Sequence, residues 1–151
     1  MFTDGRSKRV IFLAHCLLNQ NAISDGTAVC PAAFGELIQL LLDHEVGVVQ
    51  MPCPELCCLG LDRGDVHGAD RPVVEENTRI RRAMEKDGPR QKREALADLV
   101  SEQVQEYRKH GFQVLGIVGA IAQRLEAVGI SVPMLGLKSP DGAAQKVATL
   151  L

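Results

Sequence analysis

Residues 48–64 read VVQMPCPELCCLGLDRG, and an apolar run ends abruptly within this stretch. The run, residues 46–51, is rich in valine and has the composition of a buried strand. Two prolines then flank Cys53, and proline neither continues a strand nor fits inside a regular helix. The sequence therefore predicts a rigid loop at a strand end that presents the Cys53 thiol. Glu55 lies two residues further on, so a sulfur ligand or nucleophile and a titratable carboxylate would share one small loop.

Three other apolar runs predict further strands. Residues 9–14 (RVIFLA) are apolar from Val10 onward and suit a strand that is buried on both faces of a parallel sheet. Residues 112–118 and 133–137 are the other two candidates. Segments with helical spacing of apolar residues separate these runs. The pattern predicts an α/β fold, as one three-layer domain with a mostly parallel sheet flanked by helices.

Helices are expected in five places, with two loops between them. Pro31 suits the first turn of a helix whose apolar residues continue to Leu42, and residues 73–86 form a second, charged helix. Gly88 and Pro89 should end that helix, and a third covers residues 90–109 with Gly111 as its C-terminal cap. The remaining helices are expected at residues 121–128 and within residues 138–151. The expected loops are residues 17–30 and the exposed, charged residues 62–72. The cationic side chains of the charged helices are expected to be solvated, namely Arg79, Arg81, Arg82, Lys92 and Arg93.

Composition limits the function classes. The 151 residues suffice for one domain with a real core. A net charge of -2, a pI near 6.1 and the absence of tryptophan argue against binding to long nucleic acid. No apolar stretch reaches the length of a membrane span, and residues 1–10 lack the core of a signal peptide. The sequence predicts a cytoplasmic protein without a membrane partner, and it leaves the oligomeric state open.

The position of two cysteines points to a shared site. Five cysteines in a chain without secretory features argue against a disulfide framework. Cys16 follows the first predicted strand and Cys53 follows the second, and the carboxyl ends of parallel strands meet at one edge of a sheet. A metal or cluster site, a nucleophilic thiol and simple core packing all remain open for this pair. Four further side chains are weaker candidates and fit ordinary packing better, namely His15, Cys30, Cys57 and Cys58.

Four motifs together resemble a known family. They are His-Cys-Leu-Leu-Asn-Gln-Asn at residues 15–21, Pro-Cys-Pro-Glu at residues 52–55, Leu-Gly-Leu-Asp-Arg at residues 59–63 and the glycine-bounded strand at residues 111–119. In this order they resemble the TudS-type desulfidases, the thiouracil desulfidase family and its relatives. The similarity extends over most of the chain and is closer to the related branch with His-Cys-x-x-Asn than to thiouracil desulfidase itself.

The resemblance implies an iron-sulfur enzyme. Members of the family hold a four-iron four-sulfur (4Fe-4S) cluster on three cysteines and leave one iron open, which takes sulfur from a thiocarbonyl substrate while water supplies oxygen. Carried over residue by residue, Cys16 and Cys53 would be two of the thiolate ligands of this cluster. Glu55 would be the catalytic carboxylate that handles protons during attack by water. The implied substrate is a thiolated nucleobase or a similar small thiocarbonyl compound.

The chain departs from the family at the third cluster ligand. In the family this cysteine lies in a Ser-Pro-x-Cys-Gly loop after the third strand, whereas here Gly119 leads directly to Ala120 and no cysteine follows Cys58. Three explanations are open: loss of the ligand, replacement by Cys57 or Cys58, or absence from this chain of a loop between Gly119 and Ala120. The alternative function is an α/β protein with a zinc or thiol site and no desulfidase activity, and a binding domain with inert cysteines is a third hypothesis.

Overall fold

Strands and helices alternate along the chain, as the apolar pattern predicts. A computed structural model describes residues 1–119, 133–135 and 142–151. The strands are β1 (Arg9–Ala14), β2 (Gly47–Met51), β3 (Gln113–Val118) and β4 (Met134–Leu135). The helices are α1 (His15–Leu18), α2 (Gly35–Asp43), α3 (Pro54–Leu59), α4 (Val73–Met84), α5 (Asp87–Lys109) and α6 (Ala143–Ala148), with 3-10 turns at Gln20–Ala22 and Gly68–Asp70. The predicted α/β fold is confirmed.

The strands form one parallel sheet in the order β2-β1-β3-β4. Each neighbouring pair is parallel, so all four carboxyl ends face the same edge. The chain leaves β1 for β2 on one side and later returns to pair β3 on the other side. The direction of winding therefore changes at β1, and in open parallel sheets such a switch point marks the edge where ligands bind.

Helices cover both faces of the sheet because β1 alternates its buried side chains between them. Val10 and Phe12 point toward α5, and Ile11 and Leu13 point toward α2 and α6. The α5 side of the core consists of Val10, Phe12, Met51, Ala97, Val100, Val104 and Ile117. The other side consists of Ile11, Leu13, Leu17, Leu37, Leu41, Val46, Leu115, Val118 and Val147. This arrangement confirms the three-layer prediction and the prediction that β1 is buried on both faces.

An irregularity in β3 interrupts the alternation. Val10 pairs with Val114 and Phe12 pairs with Ile117, so β3 uses one more residue than β1 over this interval. The extra residue forms a β-bulge in β3. After the bulge, each side chain of β3 points to the opposite face of the sheet from the one that regular alternation would give. Gly116 lies at the bulge. A Cβ there would come within 3.0 Å of the carbonyl oxygen of Pro133, so the position favours glycine.

Two predicted boundaries near the N-terminal half are wrong. The helix expected from Pro31 begins at Gly35 as α2, since the preceding backbone is held by other partners. Gln20 N–H donates to the carbonyl of Ala32 at 2.6 Å, and Phe34 N–H donates to the carbonyl of Leu17 at 3.0 Å. Residues 17–30, expected as a loop, include the end of α1 and the 3-10 turn at Gln20–Ala22.

The loop expected around Cys53 is also shorter than predicted. Cys53 is the N-cap of α3, and Pro54 occupies the first helical position. Proline is tolerated there because the first amide groups of a helix have no intrahelical partner. The two prolines therefore place Cys53 between a strand end and a helix start, where the prediction had excluded a helix.

The charged helices follow the prediction with two corrections. α5 begins at Asp87, so Gly88 and Pro89 lie in its first turn instead of ending the previous helix. Arg93, expected to be solvated, is only 6% exposed and its Nη1 donates to Glu85 Oε1 at 3.2 Å. Gly111 caps α5 as predicted, with φ at 77° and its N–H bonded to the carbonyl of Arg108.

Some expectations lie outside the described residues. They are the helix at residues 121–128, residues 138–141 at the beginning of the last expected helix, and the junction between Gly119 and Ala120. Within the described ranges, no helix has both the length and the apolar composition needed to cross a bilayer.

Gly119 should be intolerant of any side chain. It follows β3 with φ at +135°, and a Cβ there would collide with the Cβ of Ala14 on β1. We expect Gly119→Ala to lower the free energy of unfolding by about 2–4 kcal/mol, from overpacking and backbone strain together.

Chemical denaturation measures this loss directly. Gly35→Ala is the matched control, because nothing lies within 4 Å of the added Cβ and the substitution falls at the start of α2. Equal stability of Gly119→Ala and the wild type would contradict the close approach of β1 and β3.

Candidate functional site

The structure places Cys16 and Cys53 at equivalent positions beyond neighbouring strands. Ala14 and Met51 are paired in the last register position of β1 and β2. Each cysteine follows its paired residue by two positions, Cys16 in α1 and Cys53 at the start of α3. Two thiols that are distant in sequence are thus brought to one edge of the sheet.

Both thiols are half-buried and free, and burial governs their acidity. Burial raises the pKa of Cys16, and the charges that Cys53 and Glu55 can carry raise it further. Burial also raises the pKa of Cys53, against opposition from the Leu56 backbone N–H and from the Arg63 guanidinium. In the absence of a metal both cysteines are therefore neutral thiols near pH 7, and metal binding would have to displace their protons.

Glu55 lies beside this pair in the first turn of α3. Its charge contributes to the raised pKa values of Cys16 and Cys53, which places the carboxylate within electrostatic reach of both thiols. Its side chain is 44% exposed and accepts a hydrogen bond from Nε of Arg63 at 3.1 Å. The carboxylate therefore has access to water and is also held in place by a buried cation.

Arg63 is the residue that sequence reasoning missed. Its side chain is 2% exposed, although residues 62–72 were expected to be an exposed segment. Besides Glu55, the guanidinium donates to the carbonyl oxygens of Ala22 at 2.6 Å and Gly60 at 2.9 Å. One side chain thus connects the segment after β1 with the segment after β2. The Leu-Gly-Leu-Asp-Arg motif contained it, but an arginine in a glycine-rich turn gives no sign of burial.

A further group of ion pairs holds the backbone of Arg63 in place. Arg79 Nη2 donates to the carbonyl oxygen of Arg63 at 3.0 Å and also pairs with Glu76. Glu76 accepts from Arg71 at 3.1 Å as well, and Arg71 pairs with Asp65 at 2.6 Å. The hydrogen bond from Arg79 lowers the pKa of Glu76, and the charge of Arg79 and the hydrogen bond and charge of Arg71 lower it further, so this carboxylate stays ionised. Arg79, expected to be solvated, instead fastens α4 to residues 62–72.

Amide side chains surround the start of α1. Gln50 Nε2 lies 2.7 Å from Nδ1 of His15, and Asn19 Nδ2 lies 3.3 Å from its Nε2. Gln20 is buried and donates from Nε2 to the carbonyl oxygen of Cys16 at 2.7 Å. His15 is held between two amides, as expected for a hydrogen-bonded structural histidine. Gln20 fixes the backbone at Cys16.

The other cysteines do not complete a three-thiol set. Cys58 Sγ lies 3.5 Å from the carbonyl oxygen of Pro89, and burial raises its pKa. Cys30 Sγ lies 3.5 Å from the carbonyl oxygen of Ala33, in the segment before α2. Cys57 is half-buried on α3. In the part of the chain that the structure describes, no three His, Cys, Asp or Glu side chains are grouped as metal ligands.

Comparison with known proteins gives a local similarity. No family model matches this chain, and no solved structure matches it. Uncharacterized protein MJ0003 of Methanocaldococcus jannaschii is 41% identical to it over 58 residues. This alignment covers 38% of the chain and 37% of the relative, so the chain matches well under two thirds of the relative's length. The relative is described as uncharacterized and transfers no activity.

Arg63 should be a major contributor to stability. Arg63→Met would keep the apolar stem but leave the buried carbonyl oxygen of Ala22 without its donor and Glu55 without its ion pair, whereas the Gly60 carbonyl keeps the backbone N–H of residue 63. We expect a loss of about 2–3 kcal/mol in the free energy of unfolding, since an unsatisfied buried acceptor is costly.

Arg81→Met is the matched control, because Arg81 is exposed on α4. Surface substitutions of this kind change stability by about 0.5 kcal/mol or less. A similar small effect for Arg63→Met in urea unfolding would show that the guanidinium does not connect the two segments in solution.

Proposed function

We propose that this chain is a desulfidase that acts on a small thiocarbonyl compound, such as a thiolated nucleobase. The observation that carries the proposal is the position of Cys16 and Cys53, two residues beyond the paired ends of β1 and β2, with Glu55 in the adjoining helical turn. This edge contains the switch point of the sheet, where small ligands usually bind in α/β folds. The net reaction converts C=S and water into C=O and hydrogen sulfide.

Glu55 would act as the general base in this reaction. Its half-exposed carboxylate can accept a proton from a water molecule that attacks the thiocarbonyl carbon, and the proton can then pass to the departing sulfur. The bond from Arg63 engages Oε2 and restricts the side chain to one orientation. Arg63 is therefore a positioning residue for Glu55, held in turn by the segments that follow β1 and β2.

The implied 4Fe-4S cluster fits the described residues only in part. Cys16 and Cys53 supply two thiols of the kind such a cluster requires. The third thiolate of the family has no counterpart among grouped side chains in residues 1–119, 133–135 and 142–151. Past Cys58 the sequence contains no cysteine, so residues 120–132 and 136–141 cannot provide one either.

The second candidate function is an α/β protein with a zinc or thiol site and no desulfidase activity. A zinc ion at Cys16 and Cys53 would also need ligands beyond the grouped side chains of residues 1–119, 133–135 and 142–151. The two candidates differ in what the purified protein contains. Iron with acid-labile sulfide supports the desulfidase, and zinc without sulfide supports the alternative.

Cysteine substitutions test where any metal binds. In protein purified without oxygen and reconstituted with iron and sulfide, Cys16→Ser and Cys53→Ser should each lose most of the bound iron, because both ligate from one edge. Cys30→Ser is the matched control and should keep it, since the Cys30 thiol bonds to the Ala33 carbonyl oxygen and follows no strand of the sheet. Equal iron in all three variants would remove the Cys16 and Cys53 pair from the site.

Glu55→Gln tests the base. The substitution preserves size and an acceptor oxygen for Arg63 but removes the titratable group. We expect folding and metal content to be retained while sulfide release from a thiouracil-like substrate falls by about 10²–10⁴-fold.

Glu36→Gln is the control, because Glu36 occupies the first turn of α2 as Glu55 occupies that of α3. Both substitutions remove the same favourable charge from a helix N-terminus. Loss of folding in Glu55→Gln alone would indicate a structural role, and unchanged turnover would exclude Glu55 from the mechanism.

A further inference from the structure

The long helix α5 carries an acidic row, most of which makes no ion pair in the part of the chain that the structure describes. Glu94, Asp98, Glu102 and Glu106 recur every four residues along α5 and all are exposed. Glu106 pairs with Lys109 and His110, but the other three make no ion pair in the described part of the chain. Like charges four residues apart repel each other on a helix. We call Glu94, Asp98, Glu102 and Glu106 the acidic row.

A single exposed leucine adjoins this row. Leu99 is 45% exposed, and it lies next to Asp98 with Ala95 one turn before it. Its neighbours Leu96 and Val100 turn toward the protein, and Val100 is fully buried. The outer surface of α5 is thus an apolar side chain bordered by carboxylates.

The outer side of α4 has the opposite character. A groove of about 530 Å³ runs along this helix, with Val74, Thr78 and Ala83 among its lining residues. Four cations also line it, namely Arg71, Arg79, Arg82 and Lys86. Glu75 is its one acidic lining residue. We call this surface the α4 groove.

Two of the four cations are free to meet another molecule. Arg71 and Arg79 are occupied by Asp65 and Glu76. Arg82 and Lys86 make no ion pair within the described ranges, and both are exposed. The α4 groove therefore combines apolar lining residues, of which Val74 is 78% exposed, with two cations that make no ion pair in the described residues.

We propose that two copies of this chain associate by placing the acidic row of one copy in the α4 groove of the other. The two surfaces carry opposite charges, so the carboxylates of the row would meet Arg82 and Lys86. Both surfaces also carry apolar side chains, and Leu99 would enter the groove beside Val74 and Ala83. They also match in length. Glu94 to Glu106 spans about 18 Å along a helix, and the 12 residues of α4 span about 18 Å as well.

Each copy carries both surfaces, so the contact can be reciprocal. A reciprocal contact uses the same pair of surfaces twice and closes as a dimer with two-fold symmetry. The charges would set partner choice and orientation, and the apolar contacts between Leu99 and the groove would be desolvated at the centre. This inference is independent of the desulfidase proposal, because it uses none of the site residues.

Charge reversal on either surface tests the contact. One variant carries Arg82→Glu and Lys86→Glu, and the other carries Asp98→Lys and Glu102→Lys. Analytical ultracentrifugation of each variant alone should show at least a tenfold weaker dimer than the wild type, since like charges then face each other. Equimolar mixing of the two variants should restore the dimer, because every reversed charge then meets its opposite.

A variant that carries all four substitutions tests whether weaker association results from misfolding. Both of its surfaces are reversed, so it should dimerise with itself again. Glu36→Lys with Asp43→Lys is the matched control for Asp98→Lys with Glu102→Lys, since it makes the same change of charge on exposed positions of α2, on the other face of the sheet. The wild-type dimer should also weaken in about 1 M salt, where screening acts over about 3 Å.

Three results would overturn the proposal. They are a wild-type monomer at millimolar concentration and low salt, a dimer that the reversals leave unchanged, and reversals that are not rescued by mixing or by the fourfold substitution. A monomer that binds pyrophosphate through Arg82 and Lys86 would assign the α4 groove to a small anion instead.

Discussion

The central strand β1 is the constraint on which the rest of the structure depends. It pairs with β2 on one side and β3 on the other, and it buries alternate side chains in both layers of the core. Its register with β2 ends at Ala14 and Met51, so the chain leaves both strands at the same level. Everything at the carboxyl edge is positioned from this pairing, including the two cysteines and the start of α3.

Arg63 holds together the segments and the carboxylate that meet at this shared edge. A buried guanidinium is stable only if most of its donors find acceptors, and here the acceptors come from the segments after β1 and after β2 together with Glu55. Arg63 has φ at 54°, a conformation that a non-glycine residue adopts at some cost. Its hydrogen bonds and the support of Arg79 offset that cost. The site is therefore held by polar interactions above an apolar sheet.

Apolar and charged side chains have different roles in different parts of the molecule. In the described residues, the core layers on either side of the sheet are built from buried apolar side chains. Charged side chains are gathered on residues 62–72, α4 and α5, where Glu76, Arg79 and Arg93 are buried or half-buried and others make no ion pair with the described residues. The paired charges attach the segment behind the site to α4. The unpaired ones, at Arg82 and Asp98 for example, are the features that a second molecule could recognise.

The sequence by itself determined the strands, the parallel α/β class and the placement of Cys16 and Cys53 at the same edge of the sheet. These features depend on local apolar patterns and on the rule that parallel strands end at one edge. The sequence could not determine which charges are buried, since Arg63 and Arg93 look like solvated arginines until distant carbonyl and carboxylate groups are brought to them. The start of α2 at Gly35 was likewise decided by tertiary contacts, through bonds from Gln20 and Phe34 that compete with a helix at Pro31. Short-range pattern encodes the elements, whereas the partners of buried polar groups exist only once the chain has folded.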